Sequence, residues 1–240
     1  MPKIIKSLNR FLHQIRQHRN ESLVYFPFRY FLRWHHSLAA ESSSMRDQQP
    51  WLTFQAIDYL RKHLEPHHRI FEYGGGGSTL FFIARATEVH TVEHNAAWFS
   101  VLKQAAPGRS GCWRGRWIPS VSGNLVSKPD IANPTHYASD DPPELGQQFM
   151  KYASAIDEWP DSYFDWVIVD GRARPSCLMH SISKVRVGGF LVLDNSDREY
   201  YLRHTLEVIL KNGFSEEIRA SGPSPYGEMF TRTTVWKRLR

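Results

Sequence analysis

The chain has 240 residues, 41% hydrophobic and 13% aromatic, with 30 Lys and Arg against 24 Asp and Glu for a formal net charge of +6. That composition excludes an intrinsically disordered chain and suits one globular domain with a small appendage. Anionic partners such as a membrane surface, nucleic acid or an acidic substrate stay open without being required. Cys112 and Cys177 lack CxxC spacing, so neither a disulfide framework nor a thiolate zinc site is indicated, and a reducing cytoplasm fits.

The amino terminus has basic residues but no continuous apolar stretch of the signal-peptide kind, and no run approaches the roughly 18 apolar residues of a spanning helix, so neither export nor spanning is expected. Ile4, Ile5, Leu8, Phe11, Leu12 and Ile15 recur at helical spacing, while Lys3, Lys6, Arg10, Arg16 and Arg19 fill the remaining arc. This predicts a basic amphipathic helix, which either packs on its own domain or lies on an anionic membrane or an RNA. YFPFRYFLRWHH at 25–36 predicts a second helix entered at Pro27, and the polar stretch 40–50 reads as a linker. Residues 1–50 are therefore expected to form a helical appendage and linker, and 51–240 the main domain.

From Trp51 the periodicity alternates. Helices are predicted at 51–64, 78–86, 96–105, 144–156, 178–186 and 198–212, and strands at 69–73, 88–94, 116–121, 164–170 and 188–195. A loop at 120–143 is too long to be idle in a compact domain. Segments 214–222 and 230–238 close the chain as a hairpin-like pair. Alternating strands and helices predict an α/β fold with a largely parallel sheet, and the closing pair predicts one antiparallel strand.

In such a sheet the ligand crevice lies at the carboxyl ends of the strands, which places the turn after 69–73 at its centre. That stretch reads RIFEYGGGGST. Gly74 to Gly77 let the backbone approach a ligand closely, and Ser78 or Thr79 can cap the next helix. Two features argue against a dinucleotide fingerprint. The third small position of G-x-G-x-x-G falls on Thr79, and Glu72 would repel a pyrophosphate while suiting a cationic ammonium group.

Phe71-Glu72-Tyr73-Gly74-Gly75-Gly76-Gly77-Ser78 resembles the first motif of the class I S-adenosylmethionine-dependent methyltransferases, hydrophobic-(D/E)-x-G-x-G-x-(G/S). Glu93, at the end of the second predicted strand, can accept two ribose hydroxyls, and Trp98 lies where the family commonly places a bulky residue beside the adenine. The resemblance extends over roughly 51–238, including PW-x-T-F, VDGRAR and LDNS. It implies a Rossmann-like, doubly wound, mostly parallel seven-stranded sheet of order 3-2-1-4-5-7-6 with one antiparallel strand, plus N-terminal helices. It also implies a cofactor set of Glu72, Tyr73, Gly74, Gly76, Ser78, Thr79, Glu93, His94, Trp98 and Asp170.

Asp170, Asp194 and Asn195 are similar to the magnesium-binding triad of catechol-type O-methyltransferases, and three oxygen ligands suit Mg²⁺. They are equally compatible with a capped loop and a turn. Those enzymes carry a Lys shortly after the first acid as base. This chain has Arg172 and Arg174 there, and Arg cannot accept a proton, which points to Asp170 as the base. Arg172 and Arg174 are candidates to clamp an anionic group on the acceptor. The loop 221–229, the loop 120–143 and the N-terminal helices form the candidate acceptor wall.

Several motifs are set aside. DPPE at 141–144 precedes the fourth strand and lacks the aromatic of amino-methylating nucleic-acid enzymes, so a nucleic-acid acceptor is disfavoured. The pairs His35-His36 and His67-His68 lack the spacing of helical metal ligands. The function expected from the resemblance is S-adenosylmethionine-dependent methylation of a small-molecule, glycan or lipid hydroxyl, with Mg²⁺ as a candidate helper. Its setting would be cytoplasmic, with the basic helix as a candidate peripheral contact at the inner membrane surface. The alternatives are an NAD-dependent oxidoreductase, or a non-catalytic membrane-associated domain that retains the fold.

Overall fold

A computed structural model describes residues 3–18, 27–106, 111–123, 126–139, 141 and 144–240. Arg19, Tyr25, Phe26, Pro142 and Pro143, which enter expectations above, lie outside the described residues. Seven strands form one sheet: β1 (Arg69–Tyr73), β2 (Glu88–Glu93), β3 (Trp113–Trp117), β4 (Phe164–Val169), β5 (Val185–Leu193), β6 (Phe214–Gly222) and β7 (Thr231–Arg238). Their spatial order is β3-β2-β1-β4-β5-β7-β6. β1, β2, β3, β4 and β5 pair in parallel, whereas β7 runs antiparallel to both β5 and β6. This is the architecture and strand order the resemblance implies.

The helices are α1 (Lys3–Gln17), α2 (Phe31–Ser37), α3 (Ser44–Asp47), α4 (Phe54–His63), α5 (Gly77–Ile83), α6 (Ala96–Ala105), α7 (Met150–Ala153), α8 (Arg174–Ser181) and α9 (Leu206–Lys211). Side chains alternate across the central strands, so each sheet face carries its own core. Phe71, Tyr73, Val167, Val169 and Leu191 pack on one side with Cys177 and Leu178 of α8. Ile70, Trp166, Ile168 and Val192 pack on the other with Ile57 and Phe82. Phe11, Ile15, Tyr30 and Trp34 join that second core, so the N-terminal helices share the interior of the sheet domain. The Trp34 indole also donates to the Gly227 carbonyl at 2.8 Å, tying α2 to the loop between β6 and β7.

Four elements depart from the sequence expectation, the first being the helix expected over 178–186, which is set earlier at Arg174–Ser181 while Val185 and Arg186 begin β5. The helix expected over 144–156 is interrupted at Gly146, whose φ of +77° is a left-handed conformation that ends helices. Gln147–Gln148 pair instead with Val121–Ser122 as a short antiparallel ribbon, and only Met150–Ala153 is α-helical. The strand expected over 116–121 is set earlier, at Trp113–Trp117, since Pro119 cannot donate to a ladder. The helix expected over 198–212 splits into a 3₁₀ turn at Glu199–Tyr201 and α9, with the Thr205 hydroxyl bonded to the Tyr201 carbonyl between them.

Candidate active site

The four glycines occupy the turn between β1 and α5, at the carboxyl edge of the sheet. Gly74 has φ +85°, and a Cβ there would stand 2.6 Å from the Asp170 carbonyl oxygen. Only glycine lets the turns after β1 and β4 meet this closely. A Cβ on Gly77 would overlap the Ser44 carbonyl, so that residue sets the approach of α3 to α5. Gly76 differs, because the space its side chain would fill is a gap 3.7 Å from the Trp98 ring.

Thr79, not Ser78, closes the turn. Its hydroxyl accepts from the Gly76 amide at 3.0 Å and donates to Glu72 Oε2 at 2.5 Å. The Thr91 hydroxyl also donates to Glu72 Oε2, at 3.0 Å. Glu72 is wholly buried, and burial pushes its pKa from 4.5 up to about 7, against the hydrogen bonds from Ser78, Thr79 and Thr91. Glu72 thus lies beneath the glycine turn, with both threonine hydroxyls on its Oε2 and its Oε1 buried. Tyr73 likewise turns away, donating from its hydroxyl to the Ala153 carbonyl at 2.7 Å.

Above the turn lies a cavity of about 440 Å³, within the range of small-ligand sites. Gly74, Gly76, Ser78, Glu93, His94, Trp98 and Asp170 line it, so the structure brings these seven expected residues together, while Glu72, Tyr73 and Thr79 lie below. Glu93 ends β2 with one carboxylate oxygen accepting from the Gly75 amide at 3.1 Å and the other from the Asn95 amide at 2.7 Å. The amides fix its orientation, and each oxygen keeps a further lone pair for a ligand hydroxyl. The Trp98 indole donates to the Gly75 carbonyl at 2.6 Å, which holds its exposed ring alongside the turn. His94 stands between two acids, 2.9 Å from Glu93 and 3.2 Å from Glu144.

A second cavity, of about 590 Å³, adjoins the first, and Trp51, Asp170 and Arg172 line both. The loop between β6 and β7 contributes Ser224, Gly227, Glu228 and Met229 to its wall. That loop reaches the carboxyl edge because β6 runs in the same direction as β5.

Asp170 and Asp194 end β4 and β5 side by side, with Arg174 between them. Arg174 is buried. Its Nη2 donates to Asp170 Oδ1 at 3.0 Å, its Nε to the Gly171 carbonyl at 3.0 Å, and its Nη1 to the Asp194 carbonyl. Burial opposes its charge, yet Asp170, Tyr201 and Asp194 raise its pKa above the usual arginine value. Burial, reinforced by the neighbouring Asp194, pushes the Asp170 carboxyl well above the usual carboxylate range despite Arg174. Asp194 is raised for the same first reason, with its Oδ1 accepting from the Thr233 hydroxyl at 2.7 Å.

The three expected metal ligands thus meet at one edge, but the two acids are engaged. Asp170 and Asp194 share the Arg174 guanidinium, and the Asn195 amide donates to Thr231 Oγ1 at 2.9 Å. A guanidinium between the two acids does not leave a divalent-cation pocket, so the residues as arranged do not fit Mg²⁺. Arg174 is correspondingly committed and is no clamp for an acceptor. Arg172 faces the cavities, held by Asp141 at 3.1 Å and Glu144 at 3.4 Å.

Residues that the sequence reading missed are Trp51, Glu144 and Arg198. Trp51 belongs to the PW-x-T-F motif, which was a signal without a role. Arg198 lines the second cavity and donates to the Tyr201 hydroxyl at 2.9 Å. Nothing in the local sequence marks it.

No protein-family model matches the chain, and no curated protein matches it in sequence. Solved structures do resemble it. A proposed O-methyltransferase from Klebsiella pneumoniae superposes with a TM-score of 0.52 at 15% identity, covering 90% of this chain and 90% of that one. A proposed methyltransferase from Streptococcus mutans, in complex with SAH, gives 0.50 at 9% identity over 76% of this chain and 94% of that one. A proposed rRNA methylase from Clostridium thermocellum gives 0.50 at 10% identity over 78% and 94%. With its strand order and inserted antiparallel β7, the chain carries the Rossmann-like fold of the class I S-adenosylmethionine-dependent methyltransferases.

Proposed function

We propose that the chain is an S-adenosylmethionine-dependent methyltransferase that acts on a hydroxyl group of a small-molecule, glycan or lipid acceptor in the cytoplasm. The observation that carries this is the pairing of Glu93 with the exposed Trp98 ring around the glycine turn, in a cavity that opens through Asp170 into a second one. The SAH complex of the similarly folded S. mutans protein supports the same ligand class. An inserted antiparallel strand, and a buried Thr79 at the third position of the fingerprint, weigh against a dinucleotide.

The residues fit an adenosyl ligand. Gly76 leaves a gap beside the indole that a Cβ would narrow, Trp98 offers a ring face for a base, and Glu93 offers fixed lone pairs for ribose hydroxyls. When bound, S-adenosylmethionine supplies an electrophilic methyl group on sulfonium sulfur. Asp170 lies where the two cavities join, so its carboxylate is placed to take the acceptor proton. A hydroxyl must lose that proton to be methylated, and a carboxylate whose pKa burial has raised is a stronger base than an exposed one. Arg174 holds Asp170 in position.

Calorimetric titration with S-adenosylhomocysteine tests the ligand assignment. Binding by the wild type, weakened roughly tenfold or more in Glu93→Gln as expected for loss of a charged hydrogen-bond acceptor, supports it. Absence of binding by the wild type refutes it.

A further inference from the structure

We infer that the α1–α2 pair is a docking face for an anionic phospholipid bilayer. Residues 1–40 contain seven Lys and Arg against a single acid, Glu21, a difference of +6 that equals the net charge of the whole chain. The other 200 residues are therefore neutral overall. α1 itself, KIIKSLNRFLHQIRQ, has no acidic residue, while acids from the rest of the chain meet Arg10 (Glu228) and Arg29 and Arg33 (Asp58).

The apolar stripe of α1 is only half used by the protein's own core. Its second half buries Phe11 against Phe31, Trp34 and Phe230, together with Ile15. Its first half leaves Ile4 45%, Ile5 38% and Leu8 37% exposed, with Lys6 exposed on the cationic arc of the same helix. Ser7 bonds His35 at 2.9 Å and Phe11 meets Phe31, so α2 runs back alongside α1. Phe28 at 44% and Leu32 at 59% exposure add two more apolar side chains to this pair.

Charge and apolarity together select the occupant. A nucleic acid would draw its affinity from the cations through phosphate contacts and would leave most of the exposed aliphatic surface unmatched. A second copy would oppose two faces of the same sign. An anionic bilayer takes both, with the aliphatic side chains at the acyl boundary and the Lys and Arg at the headgroups.

The face also borders the acceptor cavity. A groove of about 510 Å³ lined by Lys6, Arg10, His35, His36 and Glu228 meets the second cavity at Glu228, which pairs with Arg10. Gln14 of α1 accepts from the Phe230 amide at 2.9 Å on the same wall. Docking would thus set the mouth of that cavity at headgroup level. The consequence that the acceptor is carried by the bilayer rests on the methyl-transfer proposal. Docking itself does not.

Sedimentation of the full chain with vesicles of phosphatidylcholine alone, or with about a third phosphatidylglycerol, tests docking without cofactor or acceptor. The expected result is at least tenfold stronger partition onto the anionic vesicles. Partition should fall to the phosphatidylcholine level in Ile5→Ser/Leu8→Ser, and about fivefold in Lys6→Ala. Both variants change exposed side chains, and circular dichroism confirms their folding. Equal partition on the two vesicle types overturns the proposal. So does anionic binding that the apolar variant leaves intact, which would mark a purely electrostatic site of the nucleic-acid kind.

Discussion

Arg174 Nη2 lies 3.0 Å from Asp170 Oδ1, and the same guanidinium reaches the Asp194 carboxylate at 3.9 Å, so one buried cation is shared by the acids that end two adjacent strands. Removing it would leave both carboxylates without their partner. Arg174→Met is expected to cost about 3 kcal/mol of stability in urea unfolding, and adding Asp170→Asn should recover part of that. Equal stability of Arg174→Met and the wild type would show that the pair has no structural role.

Asp170→Asn separates the proton acceptor from the ligand site. Its turnover is expected to drop by about 10²- to 10⁴-fold, while affinity for S-adenosylhomocysteine changes little. A parallel loss of affinity would make Asp170 a binding residue instead.

Because the guanidinium stands between the two acids, chelation is expected to change neither ligand affinity nor methyl transfer. Activity that falls with a chelator and returns with Mg²⁺ would mean that Arg174 yields its place to the ion.

Gly76 and Gly77 are adjacent but should fail differently. An alanine Cβ at 77 overlaps the Ser44 carbonyl, so Gly77→Ala should unfold at lower temperature. At 76 the Cβ meets only the Trp98 ring at ordinary contact distance, so Gly76→Ala should keep its stability and bind S-adenosylhomocysteine more weakly. Thermal unfolding with and without ligand distinguishes the two.

Glu72 predicts a pH signature. Its pKa rises on folding from 4.5 to about 7, so the folded state holds the proton more tightly. Its contribution to stability is full below about pH 4.5, declines as pH rises toward 7 and is constant above. Across that window it amounts to about 3 kcal/mol. Glu72→Gln removes the decline, so the stability difference between wild type and variant should shift with pH in that direction. A pH-independent difference would mean that the Glu72 pKa does not change on folding.

β1, β2, β4, β6, β7 and α6 were legible because short apolar or alternating runs bounded by turn residues mark the strands and a period of 3.6 marks the helix. The cavity wall at Gly74, Gly76 and Glu93 was legible from the turns that end β1 and β2, whereas Trp98, inside α6, was legible only through the family resemblance. What escaped depends on distant partners. That Thr91, from another strand, bonds Glu72 is not visible from the residues around either. Arg174 reads as a surface clamp until the ends of β4 and β5 converge on it. Gly146 looks tolerable within a helical pattern, and only its left-handed backbone shows the break. Trp51 and Arg198 enter the site through tertiary packing that no local pattern records.

The adenosyl assignment meets its sharpest comparison in thermal unfolding of the full chain with S-adenosylhomocysteine and, separately, with NAD. Saturation near a hundredfold over Kd should add about 2.7 kcal/mol with S-adenosylhomocysteine, and NAD should add nothing. Stabilisation by NAD without stabilisation by S-adenosylhomocysteine would contradict it.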